Sequence, residues 1–240
     1  MPLRITNGIP INPQPEPQPA PQPEPPGAGG GGEEIILDAE IQPSAQPAAE
    51  HPNPLNIPPI PQKARLWCWA ACMEMVLNSN GNFAQPEKQC SIIAKIPELN
   101  AADCCGQEEV FADKSLSAKK VAEVWRSPTF GIQAEERLEP PRGEGQIPFE
   151  MVKAEISAGR PIEVAVRWFE GGSHALLIKG FGEIGGRPSV WINDPLMTKS
   201  LFSAADLHTG NGGEGQILFS ELRKANNYGR WVGTWTGLQK

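Results

Sequence analysis

The sequence predicts an α+β domain, because helical patterns come first along the chain and strand patterns follow them. Apolar residues recur at near-helical spacing in four segments, residues 68–77, 86–96, 115–126 and 148–158. Beyond residue 160 they alternate or run continuously, as in strands, at residues 162–168, 174–181, 189–193 and 231–235. Helices followed by antiparallel strands give the predicted architecture.

Residues at the segment ends support the helices. Pro86 is suited to the first turn of the second helix, because a first-turn residue needs no backbone donor. Pro128 ends the third helix. Gly159, followed by Pro161, ends the fourth, since glycine readily adopts the backbone conformation that closes a helix.

The strand patterns differ in the burial they predict. Residues 162–168 alternate between apolar and polar, which predicts a half-buried strand, whereas residues 174–181 are almost continuously apolar and predict a buried one. The pair Gly185-Gly186 predicts a hairpin turn before the third strand. Residues 205–215 are glycine-rich and polar, which predicts a loop.

The first quarter of the chain has a different composition. Of the 26 prolines, 17 precede Gln62, and the proline-rich run at residues 13–26 is followed by a glycine-rich stretch at 27–32. Such a segment cannot bury a core and favours extended polyproline II next to a flexible hinge. We therefore expect residues 1–57 to be a disordered linker, pro-segment or delivery tail, and residues 58–240 to form the folded domain.

Charge and hydropathy argue against two kinds of partner. The net charge of −7 and the lack of a dense Lys/Arg run argue against nucleic-acid binding through phosphates. No apolar run approaches the roughly 20 residues that a membrane-spanning helix needs, so no membrane partner is expected. The N-terminus shows no apolar core of a secretory signal. Localisation stays open, because other export routes need no such segment.

The five cysteines are Cys68, Cys72, Cys90, Cys104 and Cys105. An odd number leaves at least one thiol unpaired within the chain, as a thiol nucleophile requires. The other four could form disulfides, bind a metal or remain reduced. The spacing of the last three is not that of a zinc ribbon. In an oxidising compartment, a loop-closing disulfide from Cys90 to Cys104 or Cys105 is favoured over a metal site.

Cys68 opens the first predicted helix and lies between two tryptophans. The positive end of a helix favours a thiolate and lowers the pKa of the thiol from its ordinary value of about 8.5. This position predicts a nucleophile at Cys68. Cys72 lies one turn later on the same face of the helix and is expected to be a small core residue.

A thiolate nucleophile also needs a partner imidazole, and the chain has three histidines. His51 lies in the proline-rich segment, and His208 lies in a polar run. His174 begins a predicted core strand, where its ring can be held against the helix that carries Cys68. His174 is therefore the predicted catalytic base.

An orienting acceptor is expected for the second ring nitrogen of His174. Asp194 ends the next predicted strand, 20 residues along, and Pro195 stops that strand at once. Antiparallel pairing would bring His174 and this strand end side by side. Asn193 is the alternative, but side chains alternate along a strand and Asn193 should point to the opposite face. Asp194 is therefore preferred.

Gln62 lies six residues before Cys68. Its side-chain amide and the main-chain N–H of Cys68 would together form an oxyanion hole. Each of these features alone is ordinary, since a cysteine in an apolar helix is most often a buried small residue. The order Gln, Cys, His and Asp, each at the end of a predicted element, instead favours a catalytic site. Such a site implies no cofactor and no metal.

The same residues resemble those of bacterial papain-like cysteine peptidases, in the C39-like, staphopain and effector-protease branches. The motif Gln-x5-Cys-Trp-Ala-Ala from Gln62 resembles their nucleophile segment. His-Ala-x4-Gly-aromatic from His174 and the Asp-Pro pair at Asp194 resemble two of their strands. The resemblance covers about residues 58–240. It implies the papain-like cysteine protease fold, with Cys68, His174 and Asp194 as a catalytic triad.

Some features depart from papain itself. The Cys-Gly-Ser-Cys-Trp signature is absent, and His174 follows Cys68 by 106 residues, fewer than the roughly 130–150 expected for papain. The orienting residue is Asp rather than Asn. A compact domain with Asp in this role fits the C39-like and effector branches, and it leaves the substrate preference open.

The expected function is hydrolysis of peptide bonds through an acyl-enzyme, with a protein or peptide as substrate. Acyl transfer or glutamine deamidation would use the same triad and stays an alternative. In a non-enzymatic alternative, the protein acts by binding a partner through its proline-rich arm. Its overlapping Pro-x-x-Pro registers suit the aromatic grooves of a docking partner of SH3 type, although few basic residues flank them.

Overall fold

The structure is a computed structural model that describes residues 54–79, 86–138, 145–196, 209–211 and 213–239. The expected disorder of residues 1–57 falls, up to residue 53, outside the described residues. The same holds for His51 and His208.

Five α-helices are present in the described parts of the chain. They are α1 (Cys68–Ser79), α2 (Gln89–Ala94), α3 (Ala118–Arg126), α4 (Phe149–Ser157) and α5 (Phe219–Arg223). The first four correspond to the predicted helices. The second begins at Gln89, three residues later than predicted, so the prediction that Pro86 lies in its first turn is wrong. The third begins three residues later than predicted, because the Ser117 side chain caps it by accepting the N–H of Lys120. The fifth was not predicted.

Seven antiparallel strands form one sheet in the described residues, in the order β1-β7-β2-β3-β4-β6-β5. They are β1 (Gln133–Leu138), β2 (Ile162–Trp168), β3 (Ser173–Ile184), β4 (Arg187–Asn193), β5 (Thr209–Asn211), β6 (Glu214–Leu218) and β7 (Gly229–Gln239). Gly185 and Gly186 join β3 to β4 with φ angles of 57° and 71°. Positive φ at both turn residues matches the twist of a tight hairpin, as the sequence predicts.

Helices cover both faces of the central strands. The apolar residues of α1, α2 and α3 pack with Ala165, Leu177 and Trp235 on one face of the sheet. Those of α4 and α5 pack with Val164 and Leu176 on the other. The mixed helical and antiparallel architecture confirms the α+β class. It also places β2 in the interior, so the prediction that β2 is half-buried is wrong over residues 162–166.

The expected loop at residues 205–215 is wrong in part. Thr209–Asn211 and Glu214–Leu218 form strands, and β6 pairs with β4 from Ser189 to Asn193. Glycine and polar residues carry little intrinsic strand propensity, so the pairing with β4 decides the conformation here. Residues 205–208 and 212 lie outside the described part of the chain.

Residues 54–57 lie against the domain, although the predicted domain boundary is at residue 58. Ile57 is buried, and its carbonyl accepts hydrogen bonds from Lys179 Nζ at 3.0 Å and Asn193 Nδ2 at 2.8 Å. The N–H of Leu55 donates to the carbonyl of Lys179 at 2.7 Å. The packed part of the chain therefore extends at least to residue 54.

A disulfide joins Cys90, in α2, to Cys105. This is one of the two pairings that the sequence leaves open. Cys72 and Cys104 are buried free thiols, and Cys68 is a partly exposed one. The burial of Cys72 agrees with its predicted place in the core.

Candidate active site

Cys68 is the first residue of α1. The carbonyl of Trp67 accepts the N–H of Ala71 at 2.9 Å, so the helix begins at this point. Trp67 is itself held, because it is fully buried and its Nε1 donates to the carbonyl of Phe111 at 3.0 Å. The positive end of the helix dipole and the free N–H groups of the first turn therefore surround the thiol.

His174 and Asp194 form a buried pair. Nε2 of His174 lies 2.7 Å from Oδ1 of Asp194, and the two side chains are 4% and 2% exposed. His174 is the second residue of β3 and Asp194 directly follows β4, so the antiparallel pairing of these strands brings the two together. The N–H of Leu196 also donates to Oδ1 of Asp194 at 2.8 Å, which fixes the carboxylate.

The second ring nitrogen of His174 is available to bond the Cys68 thiol. Because Asp194 occupies Nε2, Nδ1 is the nitrogen available to the Cys68 thiol, and the two side chains are hydrogen bonded. Helix α1 packs against β3, so thiol and imidazole are brought together by the contact between the two layers. The structure thus brings three of the four predicted site residues into one chain of contacts.

Electrostatics favour a thiolate–imidazolium pair at this site. Burial by itself raises the pKa of Cys68, but the hydrogen bond and charge of His174, with the N–H groups of Ala175 and Trp69, bring that pKa below its ordinary value. Burial by itself lowers the pKa of His174, but the charge and hydrogen bond of Asp194, with a contribution from Cys68, raise it to about 10. Proton transfer from thiol to imidazole is therefore favoured near neutral pH.

Gln62 lies in the wall of the same pocket as Cys68. Its main-chain N–H donates to the carbonyl of Pro195 at 2.9 Å, which ties the segment before α1 to the residue after Asp194. Its side-chain Nε2 donates to the carbonyls of Ala64 and Arg65, each at 2.9 Å. Both amide protons are thus engaged by the local turn.

Asn193 points away from His174, as strand alternation predicts. Its Nδ2 donates to the carbonyl of Ile57 and lies 3.5 Å from the sulfur of Met75 in α1. It therefore joins β4, α1 and the segment that precedes the domain.

Trp168, the last residue of β2, stacks on the ring of His174. The two ring centroids are 6.1 Å apart and the planes differ by 18°. The turn between β2 and β3 contains Gly171 and Gly172, which have φ angles of 101° and 82° that only glycine adopts without strain. The stacked indole shields the imidazole from water and restricts its rotation.

Cys68 and His174 border a pocket of about 410 Å³ between the helical layer and the sheet. Residues of α3, β2 and β7 form its deeper walls, including Val121, Glu163 and Trp235. Glu163 is fully buried, and Trp125 Nε1 donates to its Oε2 at 2.7 Å. Burial raises the pKa of Glu163 to about 8, against the opposing hydrogen bond of Trp125.

Sequence reasoning missed Trp168 and Glu163. Glu163 carries only a partial signal: an acid in an otherwise apolar strand is unusual, but its meaning depends on whether both faces of that strand are covered. Trp168 carries no such signal, since its stacking on His174 depends on the geometry of the four-residue turn between β2 and β3. Neither residue could be assigned without knowing which face β2 presents to α1 and α3.

The model of the Peptidase_C39 like family matches residues 54–204, which is more than half of the chain. The fold and family together define a cysteine-type peptidase of papain-like architecture. The chain belongs to the Peptidase_C39 like family. No curated protein sequence matches it significantly.

Several solved structures are similar to this chain at low sequence identity. One is a double glycine motif protease from an AMS/PCAT transporter in complex with the leader peptide, with 18% sequence identity and a TM-score of 0.39; the match covers 78% of this chain and 94% of that one. Another is procathepsin B S9 from Trypanosoma congolense, with 14% identity and a TM-score of 0.42; the match covers 77% of this chain and 73% of that one. A third comes from work on antibody cross-reactivity between the mite allergens Blo t 1 and Der p 1, with 16% identity and a TM-score of 0.41; the match covers 75% of this chain and 67% of that one.

No helix within the described residues is long and apolar enough to span a bilayer. No group of three or more His, Cys, Asp or Glu side chains in this part of the chain is arranged to hold a metal ion.

Proposed function

We propose that this peptidase hydrolyses peptide bonds through Cys68, His174 and Asp194, with a covalent acyl-enzyme intermediate. The observation that carries the proposal is the continuous chain of contacts from the Cys68 thiol through the imidazole to the buried carboxylate of Asp194. Thiol, base and orienting group have the order and geometry that activate a nucleophile.

The proposed reaction begins with the thiolate–imidazolium pair. The sulfur of Cys68 attacks the carbonyl carbon of the scissile bond, and the carbonyl oxygen becomes an oxyanion. The imidazolium of His174 then gives its proton to the departing amine, and a thioester to Cys68 remains. Water, deprotonated by the now neutral imidazole, attacks the thioester and releases the acid and the thiol. Asp194 keeps the ring oriented throughout and stabilises its positive charge.

The proposed oxyanion donors are the main-chain N–H of Cys68 and the amide of Gln62. The Cys68 N–H lies at the start of α1, where backbone donors are not used by the helix. Gln62 would have to release the carbonyl of Ala64 or Arg65 to offer an N–H to the oxyanion. Its role therefore depends on a small movement of this turn when substrate binds.

The experiment pairs active-site labelling with proteolysis. The full chain and a Cys68→Ala variant are treated with E-64 under mild reduction and measured by intact mass, while casein digestion is followed by gel. Cys72→Ala is the matched control, because Cys72 lies one turn further along α1, is fully buried and has a pKa raised well above the ordinary value by burial. We expect one label and casein cleavage in the native protein and in Cys72→Ala, and neither in Cys68→Ala.

Two outcomes would contradict the proposal in different ways. Equal labelling and cleavage in the native protein and Cys68→Ala would remove Cys68 as the nucleophile. Labelling at Cys68 without cleavage of casein would keep the reactive thiol, and repeating the assay with a glutamine peptide and an amine acceptor would then test transfer or deamidation.

A further inference from the structure

The deep end of the catalytic pocket contains buried polar atoms that have no partner among the described residues. Oε1 of Glu163 accepts no hydrogen bond, although Oε2 is bonded to Trp125. The indole nitrogens of Trp69 and Trp235 also lack partners. Glu163, Trp69 and Trp235 all line the cavity that Cys68 and His174 border. An unsatisfied buried polar group costs about 1–3 kcal/mol, so such a group in a pocket points to a ligand.

The position of Glu163 in β2 explains why its side chain faces this cavity. In the sheet it lies opposite Leu177 of β3 and Trp235 of β7. Both neighbours belong to the core between the sheet and the layer of α1, α2 and α3. The carboxyl group therefore points towards the helical layer, on the same side of the sheet as the Cys68 helix.

The charge around the cavity selects the kind of ligand. Besides the catalytic pair, its charged lining residues are Glu163 and Arg65. Arg65 is exposed and already paired with Asp113. The deep end thus carries an acid without a basic partner among the described residues, and the rim carries a cation that is already neutralised.

Aromatic walls complement that acid. Trp69, Trp168 and Trp235 line the cavity. Indole faces attract cations through their quadrupole, most strongly where water is excluded. A cation entering this pocket would meet an indole surface along its way and a carboxylate at the end.

We propose that Glu163 is a specificity-determining residue that binds a basic side chain, arginine or lysine, of the peptide substrate. The side chain of the substrate would pass Cys68 and the indole walls, and its guanidinium or ammonium group would donate to Oε1 of Glu163. The inference rests on the proposed function of Cys68 and His174 as the reacting groups. It adds the substrate class, peptides with a basic residue near the cleaved bond.

The protonation of Glu163 gives this binding a pH signature. Burial holds the empty site mostly in the neutral form near pH 7, because the pKa of Glu163 is raised to about 8. A bound cation favours the ionised form, so binding of a basic side chain releases a proton. Affinity for a basic substrate should therefore rise between pH 6 and pH 9, while affinity for a neutral one should not.

The test compares arginine with citrulline, its neutral isostere that keeps the shape and most N–H donors. Libraries of acetylated tetrapeptidyl aminomethylcoumarins are prepared with one position fixed as either residue, and kcat/KM is measured on the full chain. For one fixed position we expect a preference for arginine of about tenfold or more, the range of a charge-assisted hydrogen bond. Glu163→Gln should reduce this ratio to about one. In the native protein we expect the KM for the arginine substrate to fall as the pH rises, and this pH dependence should be absent in Glu163→Gln.

Two further variants control for structure. Glu150→Gln removes an exposed carboxylate of α4 and should keep the arginine preference. Glu163→Asp keeps the carboxyl group on a shorter side chain and should retain part of the arginine preference. Thermal unfolding of each variant shows that the comparison is made on folded protein.

Peptide binding to the Cys68→Ala variant tests this inference independently of the proposed function, because binding does not require hydrolysis. Affinities of fluorescein-labelled peptides with arginine or citrulline are measured by anisotropy on Cys68→Ala with and without Glu163→Gln. Tighter arginine binding that depends on Glu163, with no hydrolysis by the native chain, would support the subsite and contradict the peptidase mechanism. Equal affinities for the two peptides, or an arginine preference that survives Glu163→Gln, would overturn the inference whether or not hydrolysis occurs.

Discussion

At the scale of single residues, the site depends on one carboxylate that controls the charge of an imidazole. His174 is buried, and burial alone would keep it neutral. The charge of Asp194 reverses that effect and holds the imidazolium form to about pH 10. In turn His174 lowers the pKa of the Cys68 thiol. In the proposed mechanism, the reactivity of the Cys68 sulfur therefore depends on a residue that does not touch the substrate.

Replacing Asp194 by Asn should move the onset of Cys68 alkylation to higher pH, because the imidazolium no longer lowers the pKa of the thiol, and should move the alkaline limit of kcat/KM to lower pH. Without the carboxylate, burial lowers the pKa of His174, so the imidazolium is lost several pH units below its present value of about 10. The measurement is the rate of iodoacetamide alkylation of Cys68 as a function of pH, together with kcat/KM, which should fall roughly 10²-fold or more. Cys72 and Cys104 contribute little near neutral pH, since burial raises the pKa of both. An unchanged alkylation profile in Asp194→Asn would show that Asp194 does not set the charge of His174.

Glu163 should make the folded state less stable at alkaline pH. Its pKa is raised in the folded protein to about 8 from an ordinary value of 4.5, so the native state retains a proton that the unfolded chain loses. Its stabilising contribution is complete below about pH 4.5 and is lost as the pH rises to about 8.

Glu163→Gln removes this titration and can still accept the hydrogen bond of Trp125. Between pH 5 and pH 9 we expect the free energy of unfolding of the native protein to fall by on the order of 2–4 kcal/mol relative to the variant. Urea unfolding at a series of pH values measures the difference. Parallel pH profiles of the two proteins would mean that Glu163 is ionised in the folded state at neutral pH.

The places of two proposed site residues in the fold could be predicted from the sequence, because they follow from chain order. Cys68 stands at a helix start and His174 at a strand start, and both positions can be read from hydrophobic periodicity. The burial of Glu163 could not be read in this way. It depends on which layers cover β2, and that is a property of the assembled sheet rather than of the strand.

At the scale of elements, the strands at the sheet edge were the hardest to predict. The strand β1 has the sequence QAEERL and the hairpin β5–β6 is rich in glycine, so neither carries the apolar pattern of a buried strand. Their conformation comes from pairing with β7 and β4, whose own patterns are apolar. By contrast β2 was predicted with its observed bounds, because its alternation and flanking Pro161 are local signals.

The disulfide between Cys90 and Cys105 should stabilise the helical part of the domain. It closes a loop with a sequence separation of 15 residues, for which loop entropy gives about 3 kcal/mol. We expect the double variant Cys90→Ser/Cys105→Ser to unfold at a lower urea concentration, with a loss of about 2–3 kcal/mol. The native protein in excess dithiothreitol should behave like the variant, and the variant itself should not respond to dithiothreitol. Equal midpoints of native and variant under oxidising conditions would show that the disulfide does not form in the folded protein.

At the scale of the whole molecule, the segment before the first helix joins the parts of the site together. Ile57 accepts hydrogen bonds from Lys179 of β3 and Asn193 of β4, and Gln62 donates to Pro195 just after Asp194. Gln89 of α2 holds the same segment by donating to the carbonyl of Pro61 at 3.0 Å. The segment 54–62 therefore contacts the sheet, the helical layer and Pro195, the residue that follows Asp194.

Two truncations that differ by four residues should differ clearly in stability. Deletion of residues 1–53 keeps the contacts of Leu55 and Ile57, whereas deletion of residues 1–57 removes them. The second deletion exposes the pocket of a fully packed isoleucine, worth about 1.5–3 kcal/mol. It also leaves the buried Lys179 and Asn193 each without the carbonyl of Ile57. We expect the shorter protein to be less stable by about 2–4 kcal/mol in urea unfolding, and its E-64 labelling to be slower because Asn193 precedes Asp194.

The double substitution Leu55→Ala/Ile57→Ala in the full chain should reproduce the part of the loss that comes from apolar burial. If both truncated proteins unfold at the same urea concentration, residues 54–57 contribute nothing to the domain, and the boundary predicted at residue 58 would be the correct one.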